Sequence, residues 1–255
     1  MTWLPPDLGH WAFGFVLLLA RIVGMATLLP GLGESAPPAM LRAGIALCLT
    51  LLLLPGLMPA FPQPPEPGLA AGAMVIAEVL TGLWFGWLAR LPMLALPMAG
   101  QIMAALMGLS NILQAGADMG PQTSVLARLF EVAAPMLILT TGLYQQPIAA
   151  VSGLYGLVPA GTMVPSGDGI QAILLAVAAC FTLALRLSAP FVVAGLVWQM
   201  ATGLTARFLP RLQIYFVAVP GQILGGMVLL AILSTSLLAA FLGAMRLSLS
   251  ALPGG

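Results

Sequence analysis

The sequence predicts an all-α, membrane-associated protein made of helical hairpins whose helices are broken by proline and glycine. Three observations carry that expectation. Hydrophobic residues fill 61% of the 255 positions and charged residues only 6%, against roughly 25% charged in an ordinary soluble domain. The apolar residues fall in runs of helix rather than strand length. The chain also holds 22 prolines and 29 glycines, and several of the prolines lie inside or between the apolar runs, where each removes a backbone donor. A water-soluble globule is excluded, and so is disorder, which needs few apolar residues and much charge.

In chain order the runs cover residues 11–29, 41–54, 69–91, 93–113, 125–143, 170–185 continuing past Pro190 to 204, and 214–242. At about 20 residues per span and a further 10 to 20 per connection, the length accommodates roughly six or seven membrane-type segments and no separate soluble domain. Residues 1–10 carry Asp7 and His10 but no Lys or Arg, and Arg21 interrupts the first run. That pattern is unlike a cleaved leader, so the first segment is expected to be retained. The connections are a proline-rich linker at 55–67, a loop at 114–123, a loop at 159–169, and a short polar link containing Arg207, Pro210 and Arg211. With Pro92, Pro97, Pro135, Pro190 and Pro220 in or beside the runs, straight parallel spans are not expected.

The ionisable residues narrow the chemistry. A net charge of +1 gives no basic stripe, and all eight basic residues are arginine, which argues against nucleic acid. The sole histidine is His10, no GxSxG occurs, and no two of the seven carboxylates stand at ligand spacing with it. No enzyme activity, catalytic residue, metal or cofactor is therefore expected. Cys48 and Cys180 each lie in an apolar run without a CxxC or Cys/His spacing; they read as small core residues, with no disulfide.

Arg21, Glu78 and Arg186 fall near the middles of their runs, where each costs about 2.5 to 3.5 kcal/mol at a bilayer centre. Burial of all three against protein is the expected solution. Glu78 has two readings. The favoured one is a structural ion pair with Arg21 or Arg186. The other is a proton relay of a small-solute transporter, which the scarcity of further acids and of polar lining disfavours. Arg128 and Glu131 stand three residues apart, on one helical face, and form a local pair. Gly82 and Gly86 form one GxxxG, and Gly221 and Gly225 another with Gly226 beside it; each is a candidate close helix contact, although chance spacing is common in so glycine-rich a chain.

Residues 107–122 form the most polar and glycine-rich stretch between two long runs, including Gly108, Leu109, Ser110, Asn111, Asp118, Gly120, Pro121 and Gln122. A functional loop and a solvated connector are both compatible with that composition. Met93, Met98, Met103 and Met107 precede it. They read first as core filler and second as a deformable seal around a passing chain.

Four stretches together resemble the FliR/SctT export-gate family of type III secretion systems. They are residues 15–24 with Arg21, Gly24, Pro30, Pro38 and Arg42; 76–86 with Glu78, Gly82 and Gly86; 99–110 with Gly100, Gln101 and Gly108; and 185–214 with Arg186, Pro190, Arg207, Pro210 and Arg211. The loop departs from the family pattern at Asp118, Met119, Gly120 and Pro121. The resemblance implies a non-catalytic subunit of the flagellar export gate in the bacterial inner (cytoplasmic) membrane, at the flagellar basal body, or of its injectisome counterpart. It implies a single copy in a helical assembly with FliP and FliQ, neighbours such as FlhB and FlhA, membrane lipids, and unfolded flagellar proteins passing through the channel. It further implies a FliP-like part at 1–169 and a FliQ-like hairpin at 170–255, with its tip at Arg207, Pro210 and Arg211. The segment from Gly108 to Gln122 would then plug the lumen. The gate of this family is raised largely out of the membrane plane, which would leave Arg21, Glu78 and Arg186 facing protein.

Overall fold

A computed structural model of the chain describes residues 7–31, 33, 38–109, 124–208 and 215–254. The described residues form α-helices and no strand: α1 (Leu8–Ala26), α2 (Ala39–Leu57), α3 (Gly68–Arg90), α4 (Ala95–Leu106), α5 (Val125–Thr140), α6 (Gln145–Leu157), α7 (Ser166–Phe208) and α8 (Tyr215–Ser250). Short 3-10 turns follow α2 at Met58–Ala60 and join α3 to α4 at Leu91–Leu94.

Local chemistry sets many of the boundaries. Pro38 and Pro67 stand in extended conformation immediately before α2 and α3, as expected of a residue that cannot continue a helix backwards. Ser124 starts α5: its hydroxyl accepts the Ala127 N–H at 3.2 Å, and its own N–H donates to the Gln101 side chain at 3.0 Å, satisfying donors that a helix start leaves open. Gly142, at φ +73°, opens the corner where α5 and α6 meet at 71°; that left-handed conformation suits glycine.

Two elements differ from the sequence expectation. Helix α6 falls where no run is read, because its apolar residues are diluted by Gln145, Gln146, Ser152, Gly153 and Gly156. Its buried residues nevertheless stand at Pro147, Ala150, Val151, Leu154 and Tyr155, a three-and-four spacing that marks one helical face. Helix α7 runs unbroken through Pro190 for 43 residues. The buried Ser188 hydroxyl two residues before it donates to the carbonyls of Ala184 at 3.0 Å and Leu185 at 3.2 Å, the back-bonding that satisfies a serine hydroxyl inside a helix. Five helical stretches are long and apolar enough to cross a membrane, or six if α5 and α6 make one bent span. The count falls short of seven because the runs at 69–91 and 93–113 fall in one stretch, Gly68–Leu106.

Two compact units divide the chain, and neither is a continuous segment. The first takes residues 1–92, 138–177 and 246–255. Its centre is α1 packed on α3, with Leu17, Leu18, Ile22 and Phe85 fully buried. Glycines set the closeness of that packing. A Cβ on Gly24 would stand 2.6 Å from the Val79 carbonyl oxygen, one on Gly86 would stand 2.7 Å from that of Met25, and one on Gly82 would overlap the carbonyl of Arg21. Backbone therefore meets backbone at Gly82 and Gly86, the use of small residues that membrane helix pairs favour.

The second unit takes residues 93–137 and 178–245. Ala95, Cys180 and Ala184 form a small core with Leu94, Met98 and Leu183 around it, and Gly100 lets α4 lie against Phe130 and Ala127 of α5. Met103 and Met107 are buried, in keeping with core filler. The second GxxxG behaves differently from the first. Gly221 meets the Trp198 ring and Gly226 meets Met107, whereas a Cβ on Gly225 would enter open space.

The two motifs should therefore respond differently to the same substitution. Gly82→Ala is expected to cost about 1 to 3 kcal/mol, because rigid backbone cannot give way. Gly225→Ala should stay within about 0.5 kcal/mol. Thermal melting of the detergent-extracted variants reads both, and equal losses would contradict the assignment.

Candidate functional site

The first unit buries one polar cluster, and helix packing brings it together. Glu78 lies one turn before Gly82 on α3, and Arg21 lies one turn before Met25 on α1. Where Gly82 admits the Arg21 backbone, the two side chains meet at 1% and 0% exposure. Arg21 Nε donates to Glu78 Oε2 at 2.5 Å and Nη2 donates to Oε1 at 3.2 Å. This is the two-pronged geometry that a guanidinium offers a carboxylate and a lysine ammonium does not.

The last turn of α6 and the segment after it complete the cluster. Arg21 Nη2 donates to the Val158 carbonyl at 3.2 Å, the Gly161 N–H donates to Glu78 Oε1 at 2.7 Å, and the Tyr155 hydroxyl donates to Oε2 at 3.3 Å. The Tyr155 ring lies beneath the guanidinium, 3.7 Å from Cζ to the ring centroid. Phe61 meets that ring edge-on at 5.2 Å. Arg21 Nη1 is buried with no hydrogen-bond partner among the described residues, and the ring face supplies electrostatic attraction for that side of the cation. Gly161 adopts φ +78° over Met74, whose side chain a Cβ would overlap. A second tie from α3 reaches the first turn of α7, where Trp84 Nε1 donates to the Gly169 carbonyl at 3.1 Å.

Chemically, both Glu78 oxygens are engaged by four donors, two of them cationic. A carboxylate so held is a structural anchor with no lone pair aimed at open water. The pairing left open between Arg21 and Arg186 falls to Arg21. Tyr155, Val158 and Gly161 were not among the candidate residues; the spacing of buried positions in α6 is the signal that points to Tyr155, while the two backbone groups leave no residue-type signal.

The remaining candidates lie elsewhere. Arg186, expected to be buried, is exposed near the middle of α7; its own unit turns the opposite face of that helix inward, through Ala184, Ser188 and Phe191. Arg128 and Glu131 do pair, at 2.8 Å, but at 69% and 44% exposure they are a surface pair and not a buried one, because their face of α5 points away from α4. Arg207 is exposed in the last turn of α7, and Pro210 and Arg211 lie outside the described residues. Gly108, at φ +74°, closes α4. Leu109 follows it, and Ser110, Asn111, Asp118, Gly120, Pro121 and Gln122 lie outside the described residues. Beside Gly108, Gln222 Nε2 of α8 donates to the Leu106 carbonyl at 2.6 Å. Cys180 is buried, with Sγ 3.9 Å from Met98 Sδ, and Cys48 is exposed. Among the described residues no three His, Cys, Asp or Glu gather where a metal ion could be held.

Comparison with known proteins gives one consistent result. The family of bacterial export proteins, family 1, matches residues 12–248. The flagellar biosynthetic protein FliR of Caulobacter vibrioides is 34% identical over 216 residues, 85% of this chain and 86% of that protein. Those of Escherichia coli and Bacillus subtilis, both of the same name, are 26% and 24% identical, over 84% and 86% of this chain and 82% and 85% of theirs.

The buried pair has an energetic signature. Arg21→Leu or Glu78→Leu alone leaves an uncompensated buried charge and should cost about 3 to 5 kcal/mol. The double substitution removes both charges and should cost less than the sum of the two. A double-mutant cycle by thermal melting in detergent measures the coupling, and additive losses would contradict the pair.

Proposed function

We infer the function from one premise: this chain belongs to the bacterial export proteins, family 1. It is a membrane-associated export protein of flagellar biosynthesis. The finer reading is a structural, non-catalytic subunit of the inner-membrane export gate at the flagellar basal body, forming part of the channel through which unfolded flagellar proteins leave. On this reading a single copy joins FliP and FliQ in a hetero-oligomeric assembly, with FlhA and FlhB as neighbours.

One observation carries it. Helix α7 has 43 residues, about 64 Å at 1.5 Å per residue, while the hydrocarbon core of a bilayer is about 30 Å thick. Its outward residues are nonetheless apolar along most of its length, including Leu174, Leu175, Val193, Val197, Met200 and Leu204. Roughly half of that surface cannot be covered by lipid chains and needs other protein. A lone transporter has no such need, and Glu78, with both oxygens engaged, favours the structural reading over a proton relay.

The same reading gives α7 and α8 the role of the FliQ-like hairpin in 170–255, following a FliP-like part in 1–169; the contact of Trp198 with Gly221 supports the hairpin. It gives the segment from Gly108 to Gln122 the role of the channel plug. Gly108 and the Gln222 tie to Leu106 supply a fixed point from which that segment departs. The names of the relatives favour a flagellum over an injectisome.

Native mass spectrometry of the detergent-extracted chain, expressed with and without its FliP and FliQ counterparts, tests the assembly. The expected species is a discrete complex carrying one copy of this chain. A homogeneous monomer or homodimer indifferent to those partners would overturn the reading. For the plug, deletion of residues 110–122 should leave the complex intact and make the membrane leaky to small ions, and unaltered conductance would contradict it.

A further inference from the structure

We propose that Arg186 is one half of an intersubunit ion pair, and that the exposed stripe of α7 around it docks an apolar helix of a different subunit carrying a carboxylate at the matching depth. The inference rests on the multisubunit reading above and adds the contact chemistry.

The stripe is defined by helical spacing. Thr182, Arg186, Pro190, Val193, Val197 and Met200 are all exposed, and at 3.6 residues per turn they lie along one face. The opposite face, with Ala184, Ser188 and Phe191, is buried in its own unit. Arg186 is therefore the one charge on an apolar strip. It makes no hydrogen bond or ion pair with any described residue. It also lies about 30 Å from each end of α7 at 1.5 Å per residue, well inside the helix and away from either terminus. A fixed charge at such a place is retained where it meets an opposite charge.

Among the described residues no acid is paired with it. Among the described residues of the second unit the one acid is Glu131, which Arg128 already engages. Helix α8 contains no Asp or Glu. On α7 itself the one acid is Asp168, eighteen residues earlier and about 27 Å along the axis. A second copy packed stripe to stripe would set Arg186 against apolar residues or against another Arg186, so like charges disfavour a homodimer on this face. Charge complementarity selects a different chain with an acidic side chain inside an apolar helix.

The test uses the full-length tagged chain co-purified with its partner subunits from the native membrane. Arg186→Glu should reduce the co-purified partners by tenfold or more, and Arg186→Leu should also reduce them, although it adds apolar surface. Acids within apolar helices of the captured subunits are then replaced by Arg one at a time in the Arg186→Glu background. One of these exchanges should restore the complex. Wild-type yield from Arg186→Glu or Arg186→Leu, or restoration by none of the exchanges, would overturn the pair. If Arg186→Glu fails to insert, Arg186→Leu decides alone. A wild-type chain that captures no other subunit would overturn the assembly reading itself, which separates the two failures.

Discussion

The first unit depends on how near α1 comes to α3. Gly82 has no side chain where the Arg21 carbonyl passes, and only at that separation do Arg21 and Glu78 face each other within hydrogen-bond distance. The steric and electrostatic conditions are one condition. A larger residue at 82 would push the helices apart and leave two charges stranded in an apolar interior, where the desolvation penalty is no longer offset. The pair in turn holds the connection after α6, because Val158, Gly161 and Tyr155 bind to groups that exist as a buried pair and nowhere else in the unit.

Much of this was legible in the sequence, and the reasons differ by residue. The helix class follows from apolar runs too long for strands and too poor in charge for water. Arg21 and Glu78 stand out because an ionised group in the middle of an apolar run needs a partner. Gly82 and Gly86 were visible as a spacing, but the same spacing at Gly221 and Gly225 serves no such approach; a glycine motif states what is permitted, and the facing surface decides whether it is used. Helix α6 stayed hidden because glycine and glutamine dilute its apolar content, although its buried positions repeat at three and four. The contributions of Val158 and Gly161 are backbone groups, and backbone hydrogen bonds leave no trace in residue identity. The apolar run at 170–204 continues past Pro190, and α7 does the same, although proline removes one backbone donor from the helix.

The two long helices pose a different constraint from the core. In α1 and α3 a facing stripe of apolar residues is covered by the chain itself, whereas α7 and α8 leave a larger share of theirs exposed. Arg186 and Arg21 make the contrast concrete. Both are arginines in the middle of apolar helices, yet one is paired with Glu78 within its unit and the other has no ion-pair partner there among the described residues. Two arginines in similar apolar runs thus meet different surroundings, one inside its unit and one on its surface.

The order in which the chain is made gives the buried cluster a history. Arg21 and Glu78 are separated by 57 residues, but the Gly161 N–H that completes the Glu78 carboxylate comes 83 residues after it. At synthesis rates of about 5 to 20 residues per second, that gap lasts roughly 4 to 17 s. Through that interval the chain contains Arg21 and Glu78 but not the Gly161 N–H that the carboxylate accepts from in the finished fold. The closed form of the cluster therefore becomes available only after α6 and the turn behind it have been made, late relative to the two helices that carry its charges.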